Sequence, residues 1–163
     1  MSIWGKIIGG TAGFALGGPI GAILGVMAGN VYDRSKRTNL NFNQISHKQK
    51  QNFFALSIII LSAKIAKSDG VVTKDEIIAF KEKFKIPPEE MNQVSKIFDE
   101  AKKSKFGYEK IAIQVGNLFS NNKILLEELL NNLFFIAEAD GNISVNEIEM
   151  LKSISQSFHL EEK

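Results

Sequence analysis

The chain carries an unbroken apolar stretch near its amino terminus. No charged side chain occurs between Lys6 and Asp33, and the 26 residues between them are mostly Ile, Leu, Val, Ala, Phe and Gly. About 20 apolar residues are enough for a helix to cross the hydrocarbon core of a bilayer. The stretch therefore predicts a transmembrane helix at about residues 3–31, within a membrane anchor at residues 1–31.

Glycine recurs at every fourth position of this stretch. Each interior glycine costs a soluble helix about 0.8 to 1 kcal/mol relative to alanine. Residues four apart lie on one face of a helix, and a row without side chains lets a second helix approach closely in lipid. We therefore predict self-association in the membrane through Gly5, Gly9, Gly13, Gly17, Gly21, Gly25 and Gly29.

Three alternatives for the stretch fit the pattern less well. A cleaved signal peptide could end near Val26-Met27-Ala28, but its apolar region usually has about 7 to 15 residues and follows several basic ones, whereas only Lys6 precedes this stretch. Flexible glycine-rich linkers are polar. An interfacial helix needs a polar face, which this segment lacks.

The charges that flank the stretch predict its orientation. Arg34, Lys36 and Arg37 follow it, against Lys6 before it. Because basic residues stay on the cytoplasmic side, we predict a single-pass protein of the inner membrane, with the amino terminus outside and the carboxyl-terminal domain in the cytoplasm.

Beyond the anchor the pattern changes to helical periodicity. Residues 32–46 are polar and predict a tether, and residues 47–163 predict one helical domain. Its first helix is apolar nearly all round, which indicates a central core helix. No segment alternates as a strand does, so we predict an all-α fold. The predicted helices begin near His47, at Thr73, at the Pro87-Pro88 pair, after Gly107, at Lys123 and at Val145.

An internal repeat lies within this domain at an offset of 71 residues. Residues 65–77 and 136–148 share Ile, Ala, Asp, Gly, Glu and Ile at matching positions. Two copies of one helix–turn–helix unit are implied, and we expect them to pack about a pseudo-twofold axis.

Two interpretations of the repeated acidic turn remain open. In the first, the turn is structural: Asp-Gly makes it, Thr73 or Ser144 caps the next helix, and a glutamate three residues later completes a capping box. In the second, a divalent cation such as Ca²⁺ or Mg²⁺ binds to carboxylate oxygens. The spacing is not that of an EF-hand. The candidate ligands are Asp69, Glu76, Asp140 and Glu147.

Composition excludes several classes of function. A net charge of +2 with interspersed signs argues against a nucleic-acid partner. The chain has no cysteine, and neither His47 nor His159 lies in a zinc or nucleophile–base pattern. No phosphate loop follows a strand. We therefore predict a protein that is not an enzyme.

The motifs at both ends of the chain resemble known families. Residues 53–158, with their two Asp-Gly turns, resemble the TerB-like helical domain of tellurite-resistance proteins. The opening Trp4-Gly5-Lys6-Ile7-Ile8-Gly9, the glycine row and Val31-Tyr32-Asp33-Arg34 resemble the amino terminus of DjlA-type membrane-anchored DnaJ-like co-chaperones. The TerB resemblance also implies that the acidic turns could bind a cation.

The DjlA resemblance implies a J domain that stimulates a DnaK-type chaperone through a His-Pro-Asp loop. That loop is absent from these residues, since Lys48 and Leu160 follow the two histidines. We expect a truncated form or a J-less relative, acting as a membrane-anchored interaction or regulatory module. The alternative is a stand-alone TerB-like protein that binds divalent cations in an envelope stress response.

Overall fold

The computed structural model describes residues 47–103, 105 and 107–160. The predicted anchor, its glycine row and the tether lie outside these residues. All regular secondary structure in the described part of the chain is α-helical, which confirms the all-α prediction. Its six helices are α1 His47–Lys67, α2 Lys74–Phe84, α3 Met91–Ala101, α4 Tyr108–Leu118, α5 Lys123–Ala137 and α6 Val145–Ser157.

Helix α1 is the centre of the bundle. Between Phe54 and Ala66, only Leu56 is more than slightly exposed, and the other side chains are buried. The helix packs against α3, α4, α5 and α6. This confirms the prediction of a central core helix, because a helix that is apolar nearly all round needs neighbours on every side.

The connection between α2 and α3 differs from the prediction. Helix α2 ends at Phe84, because Lys85 takes a left-handed conformation with φ 46°. The Glu90 amide then donates to the Pro87 carbonyl at 3.0 Å, which closes a turn. Since the residues after the proline pair form this turn, α3 begins at Met91 and not at the prolines.

A close approach between backbones joins α4 to the end of α6. Gly116 on α4 is buried against Ser157, the last residue of α6. A Cβ atom at Gly116 would overlap the Ser157 carbonyl group. Glycine is therefore required at this point of the bundle.

A second contact joins α2 to α5, which belong to different repeats. The Lys83 ammonium in the last turn of α2 lies 4.0 Å from the centre of the Phe135 ring on α5. A cation above an aromatic face is attracted by the ring's negative charge distribution.

In the described ranges, no helix has both the length and the apolar character needed to cross a membrane.

Candidate functional site

The two Asp-Gly turns have the same backbone geometry. Gly70 and Gly141 both have positive φ, 101° and 86°. The Asp69 Oδ1 atom accepts a hydrogen bond from the Val71 amide at 3.1 Å, and the Asp140 Oδ1 atom accepts one from the Asn142 amide at 3.0 Å. Each aspartate therefore stabilises its own turn, as Asp side chains commonly do.

A complete capping box follows each turn. The Thr73 amide donates to the Glu76 Oε2 atom at 2.7 Å, and the Glu76 amide donates to the Thr73 hydroxyl oxygen at 3.2 Å. Ser144 and Glu147 make the same two bonds at 2.7 and 3.2 Å. The structural interpretation of the repeated turn is confirmed, because both boxes satisfy amides at the start of a helix.

The two capping glutamates meet in the interior. Glu76 at the start of α2 and Glu147 at the start of α6 are each only 1% exposed. Their carboxyl groups lie close enough to form a hydrogen bond when one of them is protonated. A carboxylate can only accept, so a bond between two carboxyl groups requires that one of them carries a proton.

Burial and the neighbouring acid favour that proton. Loss of hydration raises the pKa of Glu76 from 4.5 to about 7; the hydrogen bonds from Thr73 oppose this shift, and the Glu147 carboxyl adds to it. Two adjacent carboxylates in a shielded site resist the loss of both protons. We name Glu76 and Glu147 the glutamate pair. With a pKa of about 7, Glu76 keeps its proton in a large fraction of molecules at neutral pH.

The structure brings together two of the four predicted cation ligands. Glu76 and Glu147 are in contact, whereas Asp69 and Asp140 are exposed, each bound to its own turn. Within the part of the chain that the structure describes, no group of three or more His, Asp or Glu side chains is arranged to hold a metal ion. A cation at the glutamates would have to displace the proton that the raised pKa of Glu76 favours. The four-ligand site stays a prediction.

Sequence reasoning missed the contact between the glutamates. The repeat places Glu76 and Glu147 at the same position of their units, each within an otherwise apolar helix face. Equivalent positions in two repeats can meet near the axis that relates them, so this placement was a signal of the contact. The distance between them depends on how the helices pack, which the local pattern does not give.

The described residues thus form a two-repeat helical bundle whose capping glutamates meet in the core. The chain belongs to the TerB family: the family described as tellurite resistance protein TerB matches residues 55–163. The family described as the co-chaperone DjlA transmembrane domain matches residues 1–50. The two resemblances are confirmed, and the chain is a membrane-anchored TerB-type protein.

Curated relatives carry the DjlA name. The chain is 30% identical over 160 residues to the co-chaperone protein DjlA of Legionella pneumophila, covering 93% of this chain and 53% of that protein. It is 28% identical over 172 residues to the DjlA of Photobacterium profundum, covering 99% of this chain and 62% of that protein. The chain thus spans a little over half the length of these relatives. No solved structure matches it.

Proposed function

We propose that this chain is the membrane-anchored interaction and regulatory module of a DjlA-type co-chaperone system. One observation carries the proposal: a DjlA transmembrane match over residues 1–50 is followed by a TerB match over residues 55–163. The relatives that share both segments are named co-chaperones. The helical domain offers apolar surface for a protein partner, including the exposed Phe134 and Phe135.

The co-chaperone role is tested by the proteins that the intact chain retains. The tagged full chain would be crosslinked in its own membranes, extracted with detergent and purified. Retention of a DnaK-type chaperone or of one of its clients would support the proposal. A correctly inserted chain that retains neither would contradict it, whether or not the anchor self-associates.

The orientation of the anchor is a second part of the proposal. Because the chain has no cysteine, a single cysteine at the exposed Lys110 provides a unique reactive thiol. A membrane-impermeant maleimide should label Lys110→Cys only after the inner membrane is permeabilised. Labelling in spheroplasts with an intact inner membrane would place the domain outside the cytoplasm.

Self-association through the glycine row is the third part. Leucines at Gly13, Gly17 and Gly21 would fill the groove that lets two helices approach. We expect these substitutions to reduce crosslinked dimers in membranes by about tenfold, which corresponds to about 1.4 kcal/mol of association free energy. Ala15→Leu and Ala22→Leu, which lie off the row, are the matched controls. Unchanged crosslinking in the glycine variant would contradict this part of the proposal.

A further inference from the structure

A groove with both apolar and polar lining residues lies between α5 and α6. It has a volume of about 910 Å³ and is lined by residues of these two helices and by His159 and Leu160. Phe134 and Ile148 line it and remain 46% and 40% exposed. We name this surface the α5–α6 groove. Adjoining exposed apolar side chains of this kind mark interaction surfaces more often than isolated ones do.

The internal repeat identifies the counterpart of this groove. The offset of 71 residues relates Leu151 in the groove to Phe80 on α2, and Phe134 to Ala63 on α1. Phe80 and Leu151 are both buried, at 3% and 7% exposed, but Ala63 is fully buried where Phe134 is 46% exposed. The first repeat is therefore covered at the position where the second repeat exposes Phe134.

Helix α3 covers that counterpart. It packs along α1, and the ring of its Phe98 lies 5.1 Å from the ring of Phe80 on α2. The α5–α6 groove, in contrast, is lined by its own two helices and by residues 159 and 160, so no other described helix borders it. The fold thus shows which kind of element fits this surface, because an equivalent surface is already occupied.

Helix α3 also shows the chemistry of such an element. Its buried face consists of Val94, Ile97, Phe98 and Ala101, spaced by three and four residues. Asp99 and Glu100 lie beside this face and are exposed, and each forms a salt bridge with the lysine three residues later, Lys102 and Lys103. Apolar residues at this spacing are how an amphipathic helix enters a groove.

The charges at the groove favour an acidic occupant. Lys123 and Lys152 are exposed at its margin, and Glu127 is the one acidic side chain that lines it. Opposite charges beside an apolar contact favour the correct partner and orientation. Acidic residues next to the apolar face of a helix would therefore complement this margin.

We propose that the α5–α6 groove binds an acidic amphipathic α-helix of a partner protein, in the way that α3 occupies the equivalent surface of the first repeat. The proposal rests on the proposed function as an interaction module and specifies its surface and the chemistry of the partner. The occupant presents apolar residues spaced by three and four to Phe134, Ile148 and Leu151, and its acids face the two lysines.

The test uses the full chain in lipid nanodiscs and a labelled peptide with the sequence of residues 88–103, which carries the buried face of α3. Binding is followed by fluorescence polarisation. The comparison peptide has the same composition in scrambled order, which breaks the apolar face. We expect the first peptide to bind and the scrambled peptide to bind at least about tenfold more weakly.

Two matched variants locate the binding surface. Ile148→Asp places a charge in the groove, at the first turn of α6, where the helix dipole tolerates an acid. Ile113→Asp makes the same change at a 49% exposed position of α4 outside the groove. We expect Ile148→Asp to weaken binding at least about tenfold and Ile113→Asp to leave it unchanged. Phe134→Asp, on α5, repeats the test should the α6 variant unfold by circular dichroism.

Several outcomes would overturn the proposal. These are no binding of the peptide, equal binding of the scrambled peptide, or binding that neither groove variant weakens. Light scattering of the full chain in detergent supplies another: if Ile148→Asp converts a dimer into a monomer, the occupant is a second copy of this chain.

The same variant separates this proposal from the proposed function. If the Ile148→Asp chain still retains its partner from crosslinked membranes, the groove proposal fails while the interaction module stands. If the unchanged chain retains no partner, the proposed function itself fails.

Discussion

The two repeats of the domain build the same turn but place it in different surroundings. Their capping-box bonds are 2.7 and 3.2 Å long in both. The helix before the first turn, α1, is buried on nearly all sides, whereas α5 before the second turn exposes Phe134 and Phe135. Even close to the turn there is a difference: the Lys67 ammonium donates to the Gly70 carbonyl at 2.7 Å, and Glu138 takes the place of Lys67 in the second repeat.

This difference separates two levels of structure. The turn and its cap involve residues close in sequence, so the same residues give the same geometry twice. Burial depends on which helices lie nearby, and α3 follows only the first helix–turn–helix among the described residues. Similar sequences can therefore specify one local structure and two different surfaces.

The largest expected effect concerns the contact that holds the second repeat to α4. In Gly116→Ala the new methyl group would overlap the Ser157 carbonyl, and α6 would have to move away. We expect a loss of about 3 kcal/mol in the free energy of unfolding, measured in urea, because overpacking against backbone has no flexible neighbour to yield. Asn117→Ala, at an exposed neighbouring position, should be neutral. An equally stable Gly116→Ala would show that the two helices are not tightly joined.

The next effect concerns the glutamate pair, where the repeats meet. The pKa of Glu76 is raised in the folded state from 4.5 to about 7, so the folded chain binds more protons than the unfolded chain between these pH values. The contribution of the protonated Glu76 carboxyl to the free energy of unfolding is fully present below pH 4.5 and is lost as the pH rises towards 7. We expect a decrease on the order of 2 kcal/mol over this window.

The matched substitution is Glu76→Gln, which keeps the cap but has no titrating proton. We expect this variant to lose the decrease in stability and to be more stable than the unchanged chain at pH 8, by urea unfolding across pH 4.5 to 8. Glu128→Gln, the same change at an exposed site on α5, should keep the decrease. The same pH profile in Glu76→Gln and in the unchanged chain would contradict a raised pKa of Glu76.

The smallest effect tests whether the two turns are also energetically alike. Thr73→Ala and Ser144→Ala each remove one side-chain cap, which typically costs about 1 kcal/mol. Because the bond lengths agree, we expect the two losses in the free energy of unfolding to agree within about 0.5 kcal/mol. Thr73→Ser should restore most of the loss. Clearly unequal losses would show that the surroundings, and not the turn, determine the strength of the cap.

Much of the fold could be predicted from the sequence, because its signals are local. Capping residues gave the start of α2 and α6, and the apolar run of α1 gave the core helix. The start of α3 was wrong because a proline pair permits either a first helical turn or a separate turn. The bonds from Glu90 and Met91 back to the prolines favour the second.

The site was predictable only in part. Both capping boxes and the positions of all four acids were predictable, since these depend on residues three apart. The sequence could not give the contact between Glu76 and Glu147, which are brought together by packing between α2, α5 and α6. The domain boundaries at residues 31 and 46 and the predicted cation site stay predictions.

The position of α1 has a mechanical consequence. The segment that matches a transmembrane domain, residues 1–50, ends within the first turn of this helix, and α3, α4, α5 and α6 all pack on it. A force on the anchor would therefore act first on α1, the most buried helix of the domain. Displacing α1 would break its contacts with four other helices together.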